Sequence, residues 1–218
     1  MKKSFQATSI IESMIVLLIV VTWIVWVFSL LNSSLKLSDA TSQRIEAIQI
    51  ARDGLEAFTN IRDTNWIKFS ADYKNCWNTL NYNTSCIWTT GFSTDITHSA
   101  TQWLIISRNT DNQFILTPLF YFSGWNTYTN SDYRSKFGIQ KDMNWFYTQT
   151  WWTLYWVSGA PFYTRELQIR YLNSSLWTWN SDDERIEVTS IVQWKDISRN
   201  APKKLEITTI LTNWESQK

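Results

Sequence analysis

An apolar stretch near the start of the chain, residues 10–31, constrains it most, because residues 13–31 carry no charge. A bilayer core about 30 Å thick takes about 20 residues of helix, so this stretch is long enough to span. Lys2 and Lys3 precede it and the bulk of the chain follows. The bias of basic residues predicts a single-pass membrane protein with a cytoplasmic N-terminus and the remainder outside. A cleaved secretory signal fits less well, since the apolar region is too long and no small-x-small site follows it closely. Glu12 lies within the stretch. A carboxylate at the centre of a spanning helix costs about 2.5–3.5 kcal/mol on insertion scales and points to function. The plainer reading puts it at headgroup level near the helix end, where the cost is smaller.

The string from Lys2 and Lys3 through Ala7, Thr8 and Glu12 into Met14, Ile15, Val16, Leu17 and Leu18 resembles the class III signal of type IV prepilins and pseudopilins. In that family a short basic leader ends in a small residue, a prepilin peptidase cuts after it, and a Glu stands fifth in the mature chain. The resemblance implies Ala7 as the last leader residue, Thr8 as the new and N-methylated terminus, and Glu12 as the fifth mature residue. Ala7 stands where the family usually has Gly, and Thr8 where it usually has Phe or Met. The implied function is a structural subunit of a type IV pilus-like filament, a minor pilin or pseudopilin, with no enzymatic activity. Its implied partners are other subunits, the prepilin peptidase, the membrane and the assembly machinery. Its implied destination is an extracellular pilus or a periplasmic pseudopilus.

After residue 31 the polarity rises without a clear helix stop. Residues 33–58 contain no Pro, and their single Gly is Gly54. Ile45, Ile48, Ala51 or Arg52, Leu55 and Phe58 recur every three to four residues, which predicts an amphipathic helix. Asn32, Ser33 and Ser34 offer a place for a kink. A helix continuous from Thr8 to Phe58 would measure about 75 Å. From Trp66 onward the pattern becomes strand-like, with β-rich runs at 103–107, 113–117, 119–122 and 153–157. In 165–172, Leu167, Ile169 and Tyr171 alternate with Glu166, Gln168 and Arg170, a half-buried strand. Residues 185–194 put Ile186, Val188, Val192 and Trp194 on one face, and 204–214 do the same with Leu205, Ile207 and Leu211. These last two runs read as an antiparallel hairpin, while 109–112 and 124–132 read as loops. The expected fold is α+β, a long N-terminal helix packed on an antiparallel sheet. The expected divisions are a leader, 1–7, a transmembrane half-helix, 8–32, an amphipathic half-helix, 33–64, and a β-rich extracytoplasmic domain, 65–218.

Composition narrows the chemistry. Lys and Arg number 20 against 19 Asp and Glu, which leaves no basic footprint for nucleic acid. One His and two Cys exclude a zinc finger and make a His/Cys metal site a poor expectation. His98 carries no nucleophile motif beside it, and no Gly-rich phosphate loop occurs. Asp182, Asp183 and Glu184 lack the spaced ligands of a calcium loop and read as a solvated turn. No cofactor is expected. The alternatives to a filament subunit are a signal-anchored surface or binding protein that does not polymerise and, more remotely, an anchored hydrolase. Cys76 and Cys86 lie in a polar segment expected outside the membrane, where two Cys usually pair.

Trp at 15 outnumbers Gly at 5. An average chain this long holds about 15 Gly, so reading about ten Trp as Gly restores the usual frequency. That pattern fits a gene whose UGA codons encode glycine but are written as tryptophan. Trp125, Trp145, Trp151, Trp152, Trp177 and Trp179 stand in turn-like surroundings that suit Gly. Trp23 and Trp26 lie in the apolar helix, where a membrane-interface aromatic belt is the other reading. Trp66, Trp194 and Trp214 read as genuine, and the loop Trp side chains are expected to be exposed.

Overall fold

The computed structural model describes residues 10–72, 76–80, 82, 84, 86, 101–108, 111, 113–119, 127–141, 147–149, 162–172, 185–196 and 201–212. They form two compact units, one ending at Gln43 and the other starting at Arg44. Helix α1, Ile10–Lys68, belongs to both. It runs through Asn32, Ser33 and Ser34 without a break, and it extends past the expected end at Phe58. The segment has no Pro, and helix needs no more than that where side chains find a favourable solvent or packing partner.

The first unit is helix with exposed side chains from Ile10 through Leu31. The second is an antiparallel α+β domain. Strands β1 (Gln102–Arg108), β2 (Phe114–Leu119), β5 (Tyr163–Tyr171), β6 (Arg185–Asp196) and β7 (Ala201–Thr212) form one sheet in the order β2-β1-β5-β6-β7. Short strands β3 (Gln140–Lys141) and β4 (Tyr147–Thr148) pair separately. The expected hairpin is β6 with β7, in register from Arg185 opposite Thr212 to Asp196 opposite Ala201. Two expected runs, 113–117 and the start of 119–122, merge into β2, while 153–157 lies outside the described residues.

The helix meets the sheet through most of the expected stripe, with Ala51 and Phe58 buried and Leu55 packed against the core, but not through its first residue. Ile45 is exposed, whereas Ala47, Ile50, Ala51, Ala57, Phe58 and Ile61 are buried. Small residues let the helix backbone approach the sheet closely, and larger ones then fill the flanks. Gly54 is a point of close approach, since a Cβ there would lie 2.9 Å from Ser190 Oγ and 3.1 Å from Leu167 Cδ2. One cluster joins Ala57, Phe58 and Ile61 to Leu104, Ile106, Leu167, Ile169 and Val188. A second joins Ala47, Ile50 and Ala51 to Tyr163, Val192 and Trp194.

Strand β5 is not half-buried over its first part. Thr164 and Glu166 are buried like Arg165 and Leu167, because a second layer covers the far face. That layer is α2, Ser131–Phe137, whose Tyr133 and Phe137 pack on Ile105. Its first residues fall in a stretch expected to be loop. Asn130 caps it, its side chain accepting from the Asp132 N–H at 2.9 Å. An N-cap Asn followed by Tyr133 and Phe137 at i and i+4 is the signal that marks this helix.

Candidate functional site

Two places carry chemistry, one in each unit. In the first, Glu12 sits in the opening turn of α1 and is exposed, followed by uncharged residues as far as Leu35. A carboxylate suits that position because unpaired N–H groups leave a partial positive charge at a helix N-terminus. Thr22, mid-stretch, donates its hydroxyl to the Ile19 carbonyl at 2.8 Å, which satisfies it without water. Trp23 and Trp26 stand edge to face on the helix surface with centroids 6.1 Å apart. The helix is long and apolar enough to cross a membrane. Ala7 and Thr8 lie outside the described residues, as do His98 and Asp182, Asp183 and Glu184.

The structure brings Cys76 and Cys86 together as a disulfide, with Cα atoms 5.2 Å apart. Both sulfurs are buried against Phe69 just past the end of α1. Asn65, fully buried, holds this loop by donating to the carbonyls of Trp77 and Thr79 at 3.2 and 2.7 Å. Lys68 donates to the Tyr82 carbonyl at 3.1 Å. The disulfide therefore ties the loop to the helix end.

The second place is a half-open cavity of about 260 Å³ at the other end of the helix–sheet contact. It is lined by Glu46, Ile139, Gln140, Tyr147, Phe162 and Tyr163. Tyr147 donates to Glu46 Oε1 at 3.1 Å and Tyr163 to Oε2 at 3.0 Å. Burial first, then the adjoining Glu46 carboxylate, pushes the Tyr163 phenol well above its usual value near 10. Beside this cavity Arg165 is fully buried and pairs with Asp53 at 2.5 Å. Its Nη1 also donates to the Ile50 carbonyl and its Nε to Gln149 Oε1. Burial lowers the Arg165 guanidinium's pKa, and Asp53 opposes that shift.

No family model matches the chain, and no curated protein and no solved structure matches it. Among the described residues no group of three or more His, Cys, Asp or Glu could hold a metal ion. Sequence reading singled out Glu12, Cys76 and Cys86 but passed over Glu46, Tyr147 and Tyr163. Their separations, 101 and 117 residues, leave no local spacing to detect.

Proposed function

We propose that this chain is a structural subunit of a type IV pilus-like filament, a minor pilin or pseudopilin. One observation supports this reading above others, a single helix whose needs change along its length. Its first part exposes an uncharged apolar surface behind one carboxylate, and its later part buries a stripe of small residues on an antiparallel sheet. A plain membrane anchor tolerates Glu12 at headgroup level but does not require it. A filament subunit does, because a neighbour's N-terminal amine can meet it within an apolar core. Opposite charges attract far more strongly there than in water, and each buried charge is tolerated through the other.

In this reading the subunit waits in the bilayer with its N-terminus in the cytoplasm and its sheet domain outside. A prepilin peptidase removes residues 1–7 and methylates Thr8. The mature subunit then passes into the filament through contacts of its N-terminal helix with other subunits. Loss of Lys2 and Lys3 takes the net charge from +1 to −1.

N-terminal sequencing of protein from its native membrane tests the first step, and the expected start is Thr8. An intact Met1, Lys2, Lys3 start would instead favour a signal-anchored binding protein. Glu12→Gln tests the second step. The variant should insert normally, since it removes a charge from lipid, yet appear in sheared filaments at less than about a tenth of the wild-type level. Wild-type incorporation would remove the basis for an inter-subunit ion pair.

A further inference from the structure

Strand β7 closes one side of the five-stranded sheet. It pairs with β6 along its whole length, from Ala201 to Thr212, and among the described residues no strand lies on its other side. From Ala201 to Ile210 its residues alternate between partly buried and exposed, as on a strand with one open edge. In an antiparallel pair every second residue turns its N–H and C=O away from the partner, so β7 presents a row of donors and acceptors on its outer side. The opposite edge, β2, is shorter and carries Pro118, which has no N–H to give. We propose that β7 docks β7 of a second copy of this chain, the two strands antiparallel about Leu205 with Lys204 of each opposite Glu206 of the other.

Charge selects both the occupant and the register. A two-fold axis normal to the sheet keeps each face on its own side, so a residue can stand opposite only a residue of the same face. The exposed face of β7 carries Lys204 and Glu206 with the uncharged Thr208 and Ile210 beyond them. Centred on Leu205, the pairing sets Lys204 opposite Glu206 twice. Moving the centre one residue toward the N-terminus sets Lys204 opposite Lys204, and one residue toward the C-terminus sets Glu206 opposite Glu206. Like charges directly opposite destabilise a strand pair, and opposite charges stabilise it. Within one chain Lys204 already pairs with Glu206, and both side chains stay more than half exposed. A second copy joins two such pairs into a square of alternating charge. Lysine on an edge strand discourages most neighbours, whereas opposite Glu206 it favours this one.

The face toward the helix agrees with this register. Leu205 and Ile207 are only partly buried at the margin of the helix–sheet core. Leu205 then meets Leu205, and Ile207 meets Lys203, whose stem can cover it while the ammonium stays in water. The contact is separate from assembly through the N-terminal helix. Subunits of one filament share a direction, whereas this two-fold axis reverses every direction in the plane of the sheet. It therefore joins copies that do not belong to one filament.

The test uses the full chain in a nonionic detergent, followed by sedimentation velocity over a concentration series. A monomer–dimer equilibrium is expected. Lys204→Glu and Glu206→Lys each set like charges opposite one another twice and should raise the dimer Kd at least about tenfold. The double variant carrying both changes restores opposite charges in the same register and should return Kd to within about threefold of the wild type. Glu12→Gln should leave Kd unchanged, and a dimer that it abolishes runs through the N-terminal helix instead. Hydrogen exchange on the wild type needs no variant to fold. Amides of β7 should gain protection as the concentration rises through Kd, while those of β2 should not. A monomer at every concentration, a dimer indifferent to both reversals or lost with Glu12→Gln, a charge swap that fails to rescue, or β7 exchange that ignores concentration overturns the proposal.

Discussion

Gly54 shows how far a single position can matter in the sheet domain. Its hydrogen points at Ser190, Leu167 and the Arg165 side chain, and any β-carbon would stand closer to Ser190 Oγ than van der Waals radii permit. Ser190 is buried on a central strand, and Leu167 Cδ2 and Arg165 Cδ crowd the same point at 3.1 and 3.2 Å. Gly54→Val should therefore destabilise the domain by about 2–3 kcal/mol, from overpacking that outweighs the gain in helix propensity. Urea unfolding followed by far-ultraviolet circular dichroism measures it, and a loss under about 0.5 kcal/mol would mean that the helix can lift without cost. Tryptophan poses a different question at the same scale. Trp77 is fully buried and Trp194 nearly so, packed 6.3 Å from Tyr163, so both have the surroundings of a real indole. The six loop tryptophans expected to be exposed lie outside the described residues. The recoding reading predicts a native mass lower than the written sequence by a whole number of Trp-to-Gly differences, after allowing for the leader. Intact-mass spectrometry on protein from its own host reads that number directly, and a mass matching all 15 Trp ends the idea.

At the scale of elements, the end of α1 is tied to the segment that follows it. The disulfide closes it, and Asn65 and Lys68 bind its carbonyls. Cross-linking so short a loop removes roughly 2–3 kcal/mol of unfolded-chain entropy. Replacing both Cys76 and Cys86 by Ser should lower stability by about that amount, read as a shift in the denaturant midpoint at constant slope. Thiol labelling of the unreduced, denatured wild-type protein should find no free thiol. Strand β5 illustrates the other half of this scale. Its helix-side face puts Arg165 against Asp53, and its far side puts Glu166 against the Tyr133 hydroxyl at 2.9 Å. A strand between two layers needs partners for polar groups on both faces, and β5 pairs Arg165 with Asp53 on one and Glu166 with Tyr133 on the other.

For the sheet domain as a whole, burial of phenols predicts the response to pH. Tyr133 and Tyr163 both titrate above the usual value near 10, chiefly through desolvation and then through the carboxylates of Glu166 and Glu46. Below about pH 10 the folded and unfolded chains both keep these protons, and the two residues add no pH dependence. Above it the unfolded chain releases them while the folded chain holds them. The unfolded state then binds fewer protons, so stability falls as pH rises. The melting temperature should be level from pH 8 to about pH 10 and then decline. Tyr133→Phe combined with Tyr163→Phe should flatten the decline. An unchanged decline would assign alkaline unfolding to other groups.

Much of this molecule was legible in local pattern. The uncharged run behind Glu12, the absence of Pro through 33–58 and the alternation in β6 and β7 each reflect one element's contact with one environment, and a period of 3.6 or 2 records that directly. The Cys76–Cys86 pair was legible because only two cysteines exist. Pattern failed where a residue's surroundings come from distant chain. The helix buries its small residues and leaves Ile45 out, because the sheet sets how closely a backbone can approach. The first half of β5 is buried on both faces, because α2 folds over it from some thirty residues away. The Glu46 cavity takes its acid from α1 and its phenols from β4 and β5, which belong to separate sheets, so only the packing of helix and sheets brings them together. Periodicity reports whether a side chain avoids water, but the identity of its neighbour is settled by packing, which local sequence does not encode.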